Sequence, residues 1–557
     1  MPRADGSWSY PADDEGNRIP DFSYAGYRNG EPIPNLADVP VLRVDGPSND
    51  DPTAGIQAAI NEVGEWTRDE RGFRGIIELA PGLYRLREPI EISYSGVVVR
   101  GTGRSADPRV GTVLVATKNL WNVQPRPFAP VTIGRMNGPG GYGWVSWTQA
   151  LEGPAVEVTT PFVQVGSREL DVQDPEPFDV GMAVVVERRC TERWLEAIDR
   201  GGVDIRGEAA PNTFWRCEAN GRRELDAAHF RRIERIEGQS LILDAPLYDH
   251  IDRSLTPATV RRVSEAYIDL KGNAPNGLVR NVGLENLRVV HEVDTTKVSR
   301  SEAHGGWAFL VDEEHPAGGI IFRMVEDAWA RDLTLSRWRD YGVGSRVATR
   351  ITIDRVAAVD PVAQVQGGRR YGVSIGSWSQ LVLIRDGIAQ RCRHGFTVNG
   401  GITSSGVAFV RPTSYLALAE DGAHRAWASG ILYDNLRHVQ PWTDIPVAVY
   451  SLVHWGSDRR TDAYSPGHGW AGVHQVVWNA EVGESPVFGG RPHVRIGDPP
   501  RAQNYLIGYT DARTGTRPAV SSGHGPPARP NPVGYVEDQP GRLYPVSLYE
   551  AQRAARR

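Results

Sequence analysis

The chain has 557 residues, 40% of them hydrophobic, with 61 Gly, 40 Pro, 62 basic and 68 acidic residues and a formal net charge of -6. Interspersed charges of both signs exclude a general nucleic-acid or membrane surface, and no apolar run approaches the ~20 residues of a membrane span. So much Gly and Pro suits many short strands joined by turns, and a solenoid can use the whole length as one unit.

Residues 1–42 are polar and Pro-rich and read as an N-terminal arm. Three aromatic rings fall within six residues, at Phe22, Tyr24 and Tyr27. They suit an arm packed along a larger body, with Tyr24 and Tyr27 as candidates for substrate contact. The opening, Met1-Pro2-Arg3-Ala4-Asp5-Gly6, has no apolar signal region, so the chain as written reads as cytoplasmic; a secreted form with its signal removed is the alternative.

Residues 43–158 begin with Asp45-Gly46 and Asp50-Asp51, good N-cap and turn chemistry. Thr53-Ala54-Gly55-Ile56-Gln57-Ala58-Ala59-Ile60 follows, with Ile56, Ala59, Ile60 and Val63 at helical spacing. Short apolar runs at Gly75–Leu79, Tyr84–Leu86, Ile90–Ile92 and Val97–Val99 predict strands, punctuated by Ala80-Pro81-Gly82 and closed by Gly101-Thr102-Gly103. One helix followed by several short strands suits the capped first coil of a parallel β-helix, the helix covering otherwise unpaired edges. This series, through Leu79-Ala80-Pro81-Gly82-Leu83-Tyr84 and Gly101-Thr102-Gly103, resembles the opening of the pectate-lyase superfamily over about 60 residues. The resemblance implies a single-stranded right-handed parallel β-helix with an N-terminal cap helix and an inserted side segment, an all-β fold. That superfamily holds lyases, hydrolases, transglycosylases and phage tailspikes, so fold does not settle activity.

A Gly-rich stretch at 138–144 carries Trp144 and, beyond it, Trp147, either a sugar-stacking loop or a long turn. Residues 159–262 break the pattern and predict an inserted, partly helical excursion flanking a cleft, with Arg188, Arg189 and Trp194 able to grip an acidic sugar. Three cysteines, Cys190, Cys217 and Cys392, show no CxxC spacing, which argues against a zinc site and leaves a Cys190–Cys217 bridge open. Residues 263–494 carry the visible repeat: from Ile351 to Leu381, Val407 and Ile431 the steps are 30, 26 and 24 residues, the length of a three-stranded coil. Residues 495–557 read as a C-terminal strap or cap ending in a short helix at Leu548 to Arg556.

Histidine and arginine concentrate between 291 and 474. His315, Arg339, Arg370, His394 and His424 are spaced by 24, 31, 24 and 30 residues, close to the coil repeat, so they predict one row on successive coils stacked ~4.8 Å apart. Such a row suits a polysaccharide lyase, which removes the proton beside a uronate carboxylate while cations neutralise it. In that reading Arg370, Arg425 and Arg393 neutralise, since a guanidinium pairs with a carboxylate through two hydrogen bonds. His394 or His424 is the base and Tyr371 the proton donor. Arg339, His315, Trp427, His468 and Trp470 are substrate-binding candidates. Glu420 and Asp421 keep two-carboxylate hydrolysis or transglycosylation open, although only Gly467-His468-Gly469 and Gly523-His524-Gly525 have a counterpart in the polygalacturonase motifs. A non-catalytic glycan-binding solenoid is the third reading. The expected partner is a polysaccharide or oligosaccharide, with no nucleic acid and no membrane. No cofactor or metal is expected, and calcium finds no acidic cluster specific to it. Gln503 and Asn504 fit either a sugar subsite or a stacked interior ladder.

Overall fold

The computed structural model describes residues 10–47, 51–138, 141–142, 146–202, 215–219, 222–223, 225–268, 277–301, 307–439, 453–454, 468–482, 493–511, 515, 517, 519–521, 534–537 and 543–556. Parallel pairing runs from one end of the chain to the other. Val41–Val44 lies on Gly75–Leu79, which lies on Val97–Gly101. Beyond the repeat's start, Tyr341–Asp354 carries Tyr371–Ile375 and Ser379–Arg385, which carry His394–Val398 and Ser405–Val410. The stack continues through Ala428–Asp434, Val476–Val482 and Tyr505–Asp511. This is a parallel β-helix. The ladder sets Ile351, Val382, Val407 and Ile431 opposite one another, so the second coil is in register one residue later than Leu381.

Inward side chains of successive coils form one continuous apolar column, from Ile77 and Leu79 through Ile351 and Val382 to Leu506. Thr53–Gly64 is the predicted cap helix, and Ile56, Ala59, Ile60 and Val63 are its buried stripe. At one corner each coil turns on a single residue in the left-handed region: Arg355, Asp386, Arg411 and Asn435, with φ of 51 to 56°. Their amides donate to the next coil, Asp386 N to Val410 O and Arg411 N to Asp434 O among them, which keeps the corner's backbone paired.

One long excursion leaves the cylinder early in the chain. The strand Val279–His291 pairs back onto Val97–Gly101 and Thr112–Ala116, so the polypeptide between Val131–Gly134 and Val279 leaves and returns. It builds a six-stranded antiparallel sheet spanning Leu151–Val263, with its own core of Val184, Val186, Leu241, Leu243 and Val260. The expected helical share reduces, among the described residues, to Glu192–Ala197 and short single turns. The charged segment through Arg232, expected as part of that excursion, instead runs into the strand Ala227–Glu237, in which Phe230 and Arg231 are both buried. Arg231 is satisfied by the carbonyls of Ala245 and Pro246. A strand buried on both faces loses the alternation that would reveal it. Trp147 packs on Phe230 at 4.3 Å within the insertion's base and is fully buried; it is an anchor, not a stacking platform, and Trp144 lies outside the described residues.

An ion cluster clamps insertion to cylinder. Glu326 meets Arg232 at 2.8 Å, Arg280 at 2.6 Å and Arg350 at 2.6 Å, and Arg350 also meets Asp327 at 2.8 Å. Burial pushes the Glu326 carboxyl up, but the three guanidiniums outweigh it and hold it below the ordinary range. Cys190 and Cys217 form a disulfide within the insertion.

The arm and the C-terminal helix Leu548–Arg556 share one flank. Phe22, Tyr24, Ala25, Leu548 and Tyr549 form a common core with Leu383 and Leu432. Gln552 accepts from Phe22 N and donates to Pro20 O. Tyr24 and Tyr27 are buried, Tyr27 donating to Asn281 Oδ1 at 2.9 Å, so the arm covers apolar surface and neither ring faces a substrate.

Candidate active site

Three coils repeat a short motif at one corner: Tyr341-Gly342-Val343, Tyr371-Gly372-Val373 and His394-Gly395-Phe396, with Tyr341 opposite Tyr371 and Tyr371 opposite His394. Val343, Val373 and Phe396 fill the core. The glycine faces inward too, where a side chain has no room. A Cβ on Gly342 would sit 2.8 Å from the Gly372 carbonyl oxygen, one on Gly372 2.5 Å from that of Gly395, and one on Gly395 2.3 Å from Ser414 Oγ. Two inward residues in succession break the strand's alternation. The residue before each glycine is left outside, and the Tyr341 ring lies over Gly318 and Gly344.

The outer track continues as a cluster of rings. Tyr371 and His394 stack at 5.2 Å with planes 13° apart. His424 stands edge-on to both, at 5.6 and 5.1 Å, and His468 stands edge-on to His424 at 5.1 Å. The Tyr371 hydroxyl is 3.4 Å from His424 Nε2 and 3.5 Å from Arg393 Nη1. His394 Nδ1 bonds the Glu420 carbonyl oxygen, which requires the proton on Nδ1 and makes Nε2 the basic nitrogen of the neutral ring. The four rings are buried, and half-buried Arg393, Arg425 and Glu420 form their rim.

Further arginines lie on neighbouring coils. Arg323 and Arg346 face each other in register. Burial lowers Arg346 below the usual guanidinium value, and the like charge of Arg425 lowers it further. At the other side Arg126 and Arg339 lie 3.8 and 5.6 Å from the Trp121 ring centroid.

The single row of His315, Arg339, Arg370, His394 and His424 does not form. The ladder sets Tyr371, not Arg370, opposite His394, and a slip of one residue turns a side chain to the other face. Arg370 is buried, donating to the carbonyls of Ala363 at 2.9 Å and Arg391 at 3.2 Å, and burial lowers it to about 10. His315 is fully buried, its Nδ1 3.0 Å from the Pro316 carbonyl and its ring 4.8 Å from His291. Arg339 pairs with Asp340 at 2.8 and 3.1 Å.

Asp421 is fully buried and accepts from Gly395 N, Phe396 N, Ser414 Oγ and His438 Nε2 at 2.6 to 3.2 Å; it braces the motif from inside and faces no substrate. Trp427 and Trp470 are buried in the insertion's junction, Trp427 donating to Asp249 Oδ2 at 3.0 Å, so neither faces the outer track. Asn504 is fully buried and bonds Gln475 N, Gly472 O and Gly497 O, the interior ladder rather than a subsite. Arg188 is buried on Asp249 at 3.1 Å and Trp194 is buried with it, so they do not face the track. The reading from sequence passed over Trp121, Tyr341 and Arg346; the recurring aromatic-Gly-apolar triplet was the signal for Tyr341. Gly467, His304 and His524 lie outside the described residues. Among the described residues no group of three or more His, Cys, Asp or Glu is placed to hold a metal, and no helix is long and apolar enough to cross a membrane.

No family model matches the chain, and no curated protein does. Solved structures do. The tailspike protein gp49 from Pseudomonas phage LKA1 is 13% identical, over 82% of this chain and 56% of that one, with a TM-score of 0.47. The polygalacturonase from Erwinia carotovora ssp. carotovora is 10% identical, over 92% of this chain and 100% of that one, with a TM-score of 0.38. The DFA-IIIase from Arthrobacter chlorophenolicus A6 is 11% identical, over 89% of this chain and 90% of that one, with a TM-score of 0.35. The chain thus spans little more than half the length of the LKA1 tailspike. That the chain is a parallel β-helix rests on its own ladder of parallel strands.

Proposed function

We propose that this protein is a carbohydrate-active enzyme, a polysaccharide lyase that cleaves a uronate-bearing glycan along the face from Tyr341 to His468. The observation that carries the reading is the Tyr371 hydroxyl held between His424 Nε2 and Arg393 Nη1, with His394 stacked on its ring. Arg393 and Arg425 at the rim receive the uronate carboxylate, which lowers the cost of forming the enolate. His394 Nε2 takes the proton from the carbon beside that carboxylate. The electron pair left there forms the new C=C bond as the glycosidic C–O bond breaks. Tyr371 gives its proton to the leaving oxygen and regains one through His424. No water is consumed.

Two-carboxylate hydrolysis is the less supported reading, because Asp421 already spends its oxygens on four internal donors. The disulfide adds an oxidising compartment to the proposal, favouring the secreted alternative. The test is a panel of uronate-bearing and neutral polysaccharides with products separated and weighed. An unsaturated uronate end supports the lyase; fragments that have gained water overturn it in favour of hydrolysis, and binding without turnover overturns it in favour of a glycan-binding solenoid.

A further inference from the structure

A second pocket opens where the insertion meets the cylinder, and none of the chemistry above uses it. Its cavity volume is about 30 Å³, room for about two water-sized groups. Arg188, Trp194, Asp249 and Trp427 line it, with Phe162 and Leu255 nearer the mouth. The Arg188 guanidinium is 2% exposed and lies 4.1 Å from the Trp194 ring centroid. Its Nη2 pairs with Asp249, whereas Nε and Nη1 have no hydrogen-bond partner among the described residues. Two buried donors without acceptors are costly to leave so, and they border a cavity.

The charges around the pocket specify what kind of acceptor fits. Asp249 offsets Arg188 and is itself engaged by Trp427 Nε1, by His250 N and by the ring of His474 at 3.7 Å. Arg501 at the mouth is paired to Asp252, and Glu15 is exposed beside it. Burial keeps His250 neutral at pH 7, with its pKa lowered to about 3; its Nδ1 accepts from Val165 N. An anion would meet Glu15 and Asp252 with no unpaired cation to receive it. A neutral oxygen acceptor with an apolar tail meets no such cost.

We propose that this pocket binds the acetyl group of an acetylated sugar, its carbonyl oxygen accepting from one of the unpartnered Arg188 N–H groups and its methyl packing against Trp194 and Trp427. The assignment rests on reading the chain as glycan-binding, not on elimination at Tyr371. The test is saturation-transfer NMR on the full chain with N-acetylglucosamine, 6-O-acetylglucose and glucose as probes. The expected result is acetyl-methyl saturation several-fold above any glucose signal, and its loss in Leu255→Trp, which fills the mouth, and in Arg188→Lys, which keeps the charge but removes the guanidinium donors. The two acetylated probes distinguish an amide from an ester source. Should Arg188→Lys fail to fold, Leu255→Trp carries the test alone. Equal signals from glucose, no methyl signal, or a signal unchanged by Leu255→Trp would overturn the assignment. Failure of uronate cleavage leaves these readouts untouched, so the two proposals fall separately.

Discussion

At the scale of single residues, Tyr371 is the pivot of the candidate site. Tyr371→Phe removes one hydroxyl and keeps the ring stacked on His394. Turnover on the cleaved glycan should fall by about 100- to 10,000-fold, the range for a lost general acid or base, while glycan affinity in a binding assay stays near that of the parent protein. His424→Ala should behave alike. Asp421→Ala should act otherwise, because it strands the amides of Gly395 and Phe396. A stability loss of about 3 kcal/mol or more is expected for buried groups left unsatisfied, read as a lower melting temperature. Much of this division was not legible in the sequence. Arg370 and Asp421 carry the same letters whether they face a glycan or a carbonyl, and only the register, offset by the inward Gly372 and Gly395, separates Tyr371 from Arg370. His394 and His424 do lie 5.1 Å apart, but the same spacing also picked out the fully buried His315, so the coil's period alone does not select outward histidines.

At the scale of elements, the junction between insertion and cylinder depends on charge. Burial alone would raise Glu326, yet Arg232, Arg280 and Arg350 hold its folded pKa below the ordinary glutamate range. A carboxyl lowered on folding contributes stability that is full above its unfolded value and is lost as pH falls through its folded one. The melting temperature should therefore drop as pH is lowered from about 5 through the carboxylate range, and Glu326→Gln should flatten that slope. A Glu326→Gln variant with the parent's acid slope would contradict this. Asp434, which receives Ser547 Oγ and Tyr549 N from the C-terminal helix and its lead-in, has the opposite sign. Burial outweighs those bonds and raises it to about 6, so its contribution is full below pH ~4 and lost as pH rises through about 6. Hydrogen exchange in Leu548–Arg556 should accelerate over that rise. The cap helix was readable from Ile56, Ala59, Ile60 and Val63, an amphipathic stripe with one buried face; the insertion was not, because Phe230 and Arg231 are buried on opposite faces of one strand.

At the scale of the whole molecule, the parallel β-helix brings Tyr341, Tyr371 and His394 together from three coils, and His424 and His468 from two more. That architecture followed from short strands, tight turns and a period near one coil's length, which are local signals. The outward row followed from pairing register, which is not local. The central claim is that this face eliminates across a uronate's glycosidic bond, and the most direct measurement is the mass of paired products from a defined uronate oligosaccharide. Elimination predicts two fragments whose masses sum to that of the substrate, one ending in an unsaturated uronate, and far less of both in Tyr371→Phe. Fragments whose masses sum to substrate plus one water would contradict it.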